Sequence, residues 1–160
     1  MKILYLILII LNITSCISEE IRFGEKNGKV NICVDYSFND LELKEVSLGV
    51  ATWNIATSDL SIYRSGSSIN GCDLYVKKVS KSKTEKFSAR VALVNDIVRF
   101  IWVVDTLPID QIRVVIAHEL GHAFGCDHFD GENLMNEIHC DCPIPVDCLN
   151  KINNNIKNSY

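Results

Sequence analysis

Cations are scarce in this sequence. Sixteen Lys and Arg stand against twenty Asp and Glu, a formal charge of −4. A nucleic-acid binder needs a basic face to neutralise phosphates, so no nucleic-acid partner is expected. Charged residues make up only 22% and apolar ones 48%, which excludes an intrinsically disordered chain. Internal repeats, low-complexity linkers and compositional breaks are also missing, and 160 residues is about one domain's length. Methionine occurs once after the initiator, at Met135, and histidine four times in all. What is plentiful is cysteine, with seven.

The longest apolar run, Ile3 to Ile13, follows Met1-Lys2 and ends in Thr14-Ser15-Cys16. A charged start, an apolar stretch too short for a bilayer and small residues after it describe a secretory leader over 1–15. Ile13-Thr14-Ser15-Cys16 also resembles a bacterial lipoprotein box, which implies lipidation of Cys16 and a membrane-anchored envelope protein on a tether over 16–28. Ordinary cleavage and free secretion is the alternative. Six cysteines then remain, at 33, 72, 126, 140, 142 and 148. Exported chains meet oxidants, so disulfides are expected, in any of fifteen pairings. Cys140 and Cys142, one residue apart, are expected to have different partners.

Within 29–160 the pattern reads as α/β. Lys29 to Tyr36 alternates as a strand, and Leu43, Val46, Val50 and Trp53 recur at helical spacing after Asp40. Leu60 to Arg64, Cys72 to Val79, Phe87 to Asn95 and Ile97 to Asp105 read as further strands. The last of these is apolar on both faces and so central. Lys77, Lys78, Lys81, Lys83 and Lys86 suggest a solvated hairpin tip or a protected sheet edge; contact with anionic lipid is the sharper reading. Pro108 and Asp110 mark the start of a second helix, running to about Phe124 and stopping at Gly125. An irregular tail with one short helix follows.

That second helix carries His118-Glu119-Leu120-Gly121-His122-Ala123-Phe124-Gly125-Cys126-Asp127-His128. His118 and His122, four apart, point the same way and can share one zinc ion, with Glu119 beside its open side. Gly125 allows the sharp turn that returns His128 to the same ion. Five specified positions in so short a window arise by chance on the order of once per 10⁵ chains of this size. Three histidine ligands leave a fourth position open, as catalytic zinc sites do.

The window resembles the metzincin zinc peptidases, whose His-Glu-x-x-His-x-x-Gly-x-x-His pattern it fills at every fixed position. His-Glu-Leu-Gly-His and Asp127-His128 look most like matrixin-type catalytic domains. The resemblance covers about residues 29 to 158, with specific motifs only over 118 to 135. It implies an α+β zincin-like fold: a twisted, mostly parallel five-stranded sheet, a long first helix, an active-site helix and a short C-terminal helix. It implies Met135 as the methionine turn beneath the metal, although the turn is about one residue shorter than in matrixins and lacks the proline that often follows. The glycine- and aspartate-rich calcium loop of matrixins is missing as well.

The expected activity is that of a zinc-dependent endopeptidase on proteins or peptides, with Glu119 as general base and acid. A metzincin-like binding module without peptidase activity is the alternative. Substrate is expected to lie along the strand near Ala89 to Val94, with a pocket wall from Asn136 to Pro145. Cys140, Cys142 and Cys148 would staple that wall, with Cys126 as a further candidate. Asp130 is a candidate brace of the turn after His128, against a plain exposed acid. His139 reads as a loop residue that can reach the cleft. A monomer is expected.

Overall fold

The computed structural model describes residues 30–57, 60–65, 71–80, 87–94, 97–136 and 142–157. The leader, the tether with Cys16, Lys81, Lys83, Lys86, His139 and Cys140 lie outside the described residues. The element order is β1 (Val30–Asp35), α1 (Asp40–Thr57), β2 (Leu60–Ser65), β3 (Leu74–Val79), β4 (Ala89–Val94), β5 (Ile97–Val104), α2 (Ile109–Ala123) and α3 (Val146–Lys157).

The sheet order is β2-β1-β3-β5-β4. The β1–β2, β1–β3 and β3–β5 pairs are parallel, and β4 runs antiparallel to β5 as an edge strand. Alternation sends Ile32, Val34, Leu74, Val76, Ile101 and Val103 to one face, each at most 1% exposed. The helices bury their apolar stripes there: Val46, Val50 and Trp53 from α1, and Ile112, Val115, Ile116 and Leu120 from α2. The other face carries a separate small cluster of Cys33, Cys72 and Tyr75, with Phe100 packed on it.

Helix α1 starts through a reciprocal cap that the hydrophobic periodicity did not reveal. Asn39 Oδ1 accepts from the Glu42 N–H at 3.0 Å, and Glu42 Oε2 accepts from the Asn39 N–H at 2.8 Å. Glu42 also takes the Lys78 ammonium, 2.6 Å from Oε1 and 2.7 Å from Oε2. Lys78 is therefore no solvated tip residue: it ties the start of α1 to β3. Strand β3 is interior, between β1 and β5, so the charged-edge expectation fails for Lys77 and Lys78. Lys77 lies over the Phe100 and Trp102 rings at 5.0 and 5.5 Å, and Arg90 over Trp102 and Phe87 at 4.6 Å each. These cations cover aromatic surface that no helix shields.

Pro108 occupies the N-cap position of α2, with no side-chain cap bond, rather than the first helical turn. The final helix is longer than expected, at 12 residues. Two disulfides are defined, Cys33–Cys72 and Cys126–Cys148, spanning 39 and 22 residues. Loop-closure entropy assigns roughly 3–4 kcal/mol to each. Cys142 is also disulfide-bonded, to a partner outside the described residues. No described helix is long and apolar enough to cross a membrane.

Candidate metal centre

Helix α2 sets out the first two imidazoles by its own periodicity. His118 and His122 stand one turn apart, at 2% exposure and half-buried respectively. The helix then closes with a Schellman cap. The Gly125 N–H donates to His122 O and the Cys126 N–H to Gly121 O, both at 2.9 Å. Gly125 takes φ +86°, which glycine adopts without a Cβ clash. The reversal brings His128 back over the helix.

The three Nε2 atoms lie 3.0, 3.1 and 3.3 Å apart: His118–His122, His122–His128 and His128–His118 in turn. Among the described residues this trio forms the group of side chains able to hold a metal ion. The other ring nitrogens of two members are already committed. His118 Nδ1 is 2.8 Å from Leu134 O, and His122 Nδ1 is 2.8 Å from Cys126 O. A carbonyl only accepts, so both Nδ1 atoms carry the proton and both Nε2 atoms present lone pairs. Converging lone pairs repel one another unless a cation lies between them. Nitrogens about 2.0–2.1 Å from a tetrahedral zinc stand roughly 3.3 Å apart, so the trio fits that ion.

Beneath the ligands, a short loop fixes Leu134 and Met135. The Phe129 N–H donates to Met135 O at 3.0 Å, and the Leu134 N–H to Pro143 O at 3.0 Å. Asn133, not Asp130, braces the turn. Its Nδ2 donates to Asp130 O at 3.0 Å, and its Oδ1 accepts from the Met135 N–H at 3.0 Å. Asn136 Nδ2 adds a bond to Gly131 O at 2.8 Å. Asp130 contributes its backbone carbonyl to this network, while its side chain belongs to an exposed residue. Met135 is fully buried, and Trp53 Nε1 donates to Ala117 O at 2.7 Å, joining α1 to the metal helix.

Glu119 is 4% exposed. Burial pushes its carboxyl up to about 7, against the opposing backbone hydrogen bond from Val91. That bond locates Glu119 at the rim of β4. The Val104 N–H donates to Ser88 O, so Ser88 and, two residues on, Arg90 turn toward β5. Ala89 and Val91 therefore turn their backbone groups outward. Sequence reasoning identified the side chains of the trio, yet missed Leu134 O, Cys126 O and the Val91 N–H. Backbone groups leave no compositional trace. Asn133, following Gly131-Glu132 in a turn-rich run, was the one signal available.

Of the cysteines expected to staple the loop, Cys148 pairs with the further candidate Cys126. The bond joins the end of α2 to α3, with Cys148 fully buried, and so leaves Cys148 unable to pair with Cys140 or Cys142.

No protein-family model matches the sequence, and no curated protein matches it. Among solved structures the chain is similar to archaemetzincin from Methanopyrus kandleri, with a TM-score of 0.59 at 13% identity. The match covers 82% of this chain and 98% of that one. The fold is archaemetzincin-like. In this archaemetzincin-like frame, the sheet and α1 pack against α2, and the loop to Met135 closes under its histidines.

Proposed function

We propose that the protein is a zinc-dependent endopeptidase of metzincin type. The convergence of three Nε2 atoms, two of them with lone pairs set by the carbonyls their Nδ1 atoms meet, carries this reading. The fold similarity and the complete His-Glu-x-x-His-x-x-Gly-x-x-His pattern support it, and the finer likeness to matrixins rests on His-Glu-Leu-Gly-His and Asp127-His128.

His118, His122 and His128 would hold the ion. Bound there, zinc supplies Lewis acidity: it polarises a carbonyl and makes water nucleophilic at neutral pH. The residues do the rest. With their Nδ1 protons committed to Leu134 O and Cys126 O, His118 and His122 serve as neither acid nor base. Glu119 takes the proton of the attacking water on a carboxylate oxygen and delivers it to the departing amide nitrogen. The Val91 N–H holds that carboxylate in place. A dication nearby favours the ionised form, which offsets the burial that raises the Glu119 carboxyl to about 7. An extended peptide pairs with the outward groups of β4 beginning at Ala89, which sets its scissile bond against Glu119. We further propose that a leader over 1–15 exports the protein and that Cys16 is lipidated, a reading that the Cys33–Cys72 and Cys126–Cys148 disulfides support.

The test is hydrolysis of a quenched peptide library by purified protein, with zinc, with a chelator, and after zinc is restored. Turnover that disappears and returns supports the proposal. Stoichiometric zinc without any turnover leaves a metal-binding module instead.

A further inference from the structure

Residue Cys126 joins the two halves of the metal centre. It is the third residue beyond α2, and its carbonyl receives the Nδ1 proton of His122 at 2.8 Å. Two residues later comes His128. The Cys126 N–H returns the backbone to the helix by donating to Gly121 O at 2.9 Å. The Cys126 side chain is covalently bound to Cys148, which is 0% exposed on α3. Helix α3 is in turn seated in the main core through Ile152, with Leu149 packed against it. The carbonyl that sets the tautomer and direction of one ligand, and the chain that leads to another, are thus both fastened to the core by one sulfur–sulfur bond. The second defined disulfide, Cys33–Cys72, has no such role. It lies in the small cluster on the opposite face of the sheet.

We propose that Cys126–Cys148 is a positioning device for the metal centre, which makes tight zinc retention conditional on an oxidising compartment. The proposal rests on the histidine trio being a metal site and is independent of whether the protein cleaves peptides. In the reduced state a hydrogen-bonded helix end replaces a covalent one. His122 then loses its fixed acceptor for part of the time, and His128 loses the anchored segment before it. The chemistry is ordinary exchange with a dithiol. One thiolate attacks a sulfur of the pair and the other cysteine leaves as a thiolate and takes a proton. The reductant's second thiol then displaces the first cysteine. The protein gains two electrons and two protons, and the reductant becomes a cyclic disulfide. A chain that folds in a reducing compartment therefore holds zinc loosely and gains its grip on oxidation.

The experiment compares zinc dissociation constants, by competition with a chromophoric chelator, for the wild type and three variants. C126A/C148A removes the bond in question, C33A/C72A removes the distant one, and Ile152→Ala loosens α3 while keeping the bond. Cobalt(II) absorption spectra report ligand geometry in parallel. C126A/C148A is expected to bind zinc roughly 10–100-fold more weakly with an altered cobalt spectrum. The other two are expected to melt earlier with wild-type zinc affinity and spectrum. Equal affinities in all four proteins, or equal losses in all three variants, would overturn the proposal.

Should C126A/C148A fail to fold, zinc release from a C33A/C72A/C142A holoprotein treated with a water-soluble phosphine decides the matter, because that variant also lacks the bond of Cys142. The phosphine takes an oxygen from water as the two thiols form, and does not chelate as a dithiol would. Release that accelerates while the helical circular dichroism persists supports the device; release at the unreduced rate refutes it. Failure of peptide cleavage together with split affinities would sink the peptidase reading alone. Cleavage with unsplit affinities would sink this one alone.

Discussion

Met135 packs its thioether directly against the bare α-carbon of Gly121, in the turn between His118 and His122. A methyl group built on Gly121 would overlap the Met135 sulfur, and would lie 2.8 Å from its Cε and 3.0 Å from Trp53 Cζ2. Gly121 is thus small because the methionine turn and α1 both press on that side of α2. The pairing gives Met135 a role that needs no contact with the imidazoles: it fixes the height of the helix that carries two of them.

Gly121→Ala should overpack this contact and cost roughly 1–3 kcal/mol. Because the strain falls between two ligands, zinc affinity should drop along with the melting temperature. Adding Met135→Ala to Gly121→Ala should recover part of both losses, since it removes the group the new methyl meets. A double-mutant cycle in melting temperature and zinc affinity checks this, and additive losses would mean that the two residues do not share a contact.

Replacing Glu119 by Gln keeps the shape and the acceptor for the Val91 N–H while removing the proton carrier. Peptide hydrolysis should fall by about 10²–10⁴-fold or more, with zinc still bound at one equivalent. Metal content and single-turnover rates on the same preparation provide the comparison. Retained turnover would move the base elsewhere.

Zinc removal should lower the melting temperature, because the ion binds the folded trio and not the unfolded chain. Without it, three half-aligned imidazoles face each other at 3.0–3.3 Å. Melting should recover as zinc is added back, with a midpoint that rises with the logarithm of free zinc. A melting curve indifferent to zinc would contradict the assignment of the trio.

Away from the metal, the Tyr75 hydroxyl donates to Asp35 Oδ2 at 2.6 Å. This bond is the main reason the Asp35 carboxyl lies below its usual 3.8. Burial, with Asp35 second, pushes Tyr75 from 10.0 up to about 12. A depressed acid stabilises the fold above its unfolded pKa, and that contribution is lost as pH falls through the folded value. A raised phenol stabilises the fold below 10.0, and that contribution is lost as pH climbs toward about 12. Tyr75→Phe should therefore lower stability near neutrality and flatten both the acid and the alkaline limbs. Urea midpoints across the pH range measure this, and limbs as steep as those of wild type would contradict it.

Much of the frame could be read in advance because its causes are local. Helix α2 follows from apolar spacing and ends at a glycine; the imidazoles of His118 and His122 face one way because four residues make about one turn. Strand β5 reads as interior because both of its faces are apolar. Lys78 was misread because its partner, Glu42, is distant in sequence and acts twice, as a helix cap and as a counter-ion. Asp130 looked like the brace of the turn because acids favour turns, yet Asn133 can both donate and accept there, and a carboxylate only accepts.

Apolar spacing and motif were enough to set the kinds and order of the elements, the three converging histidines and the glycine that turns the chain between them. Which carbonyls face the imidazoles, how Glu119 meets β4 and which cysteines join came only with the folded chain. Those outcomes depend on backbone groups and on residues far apart in the chain. They are fixed only when the sheet, α1 and α3 close around α2 and bring those groups within reach of one another.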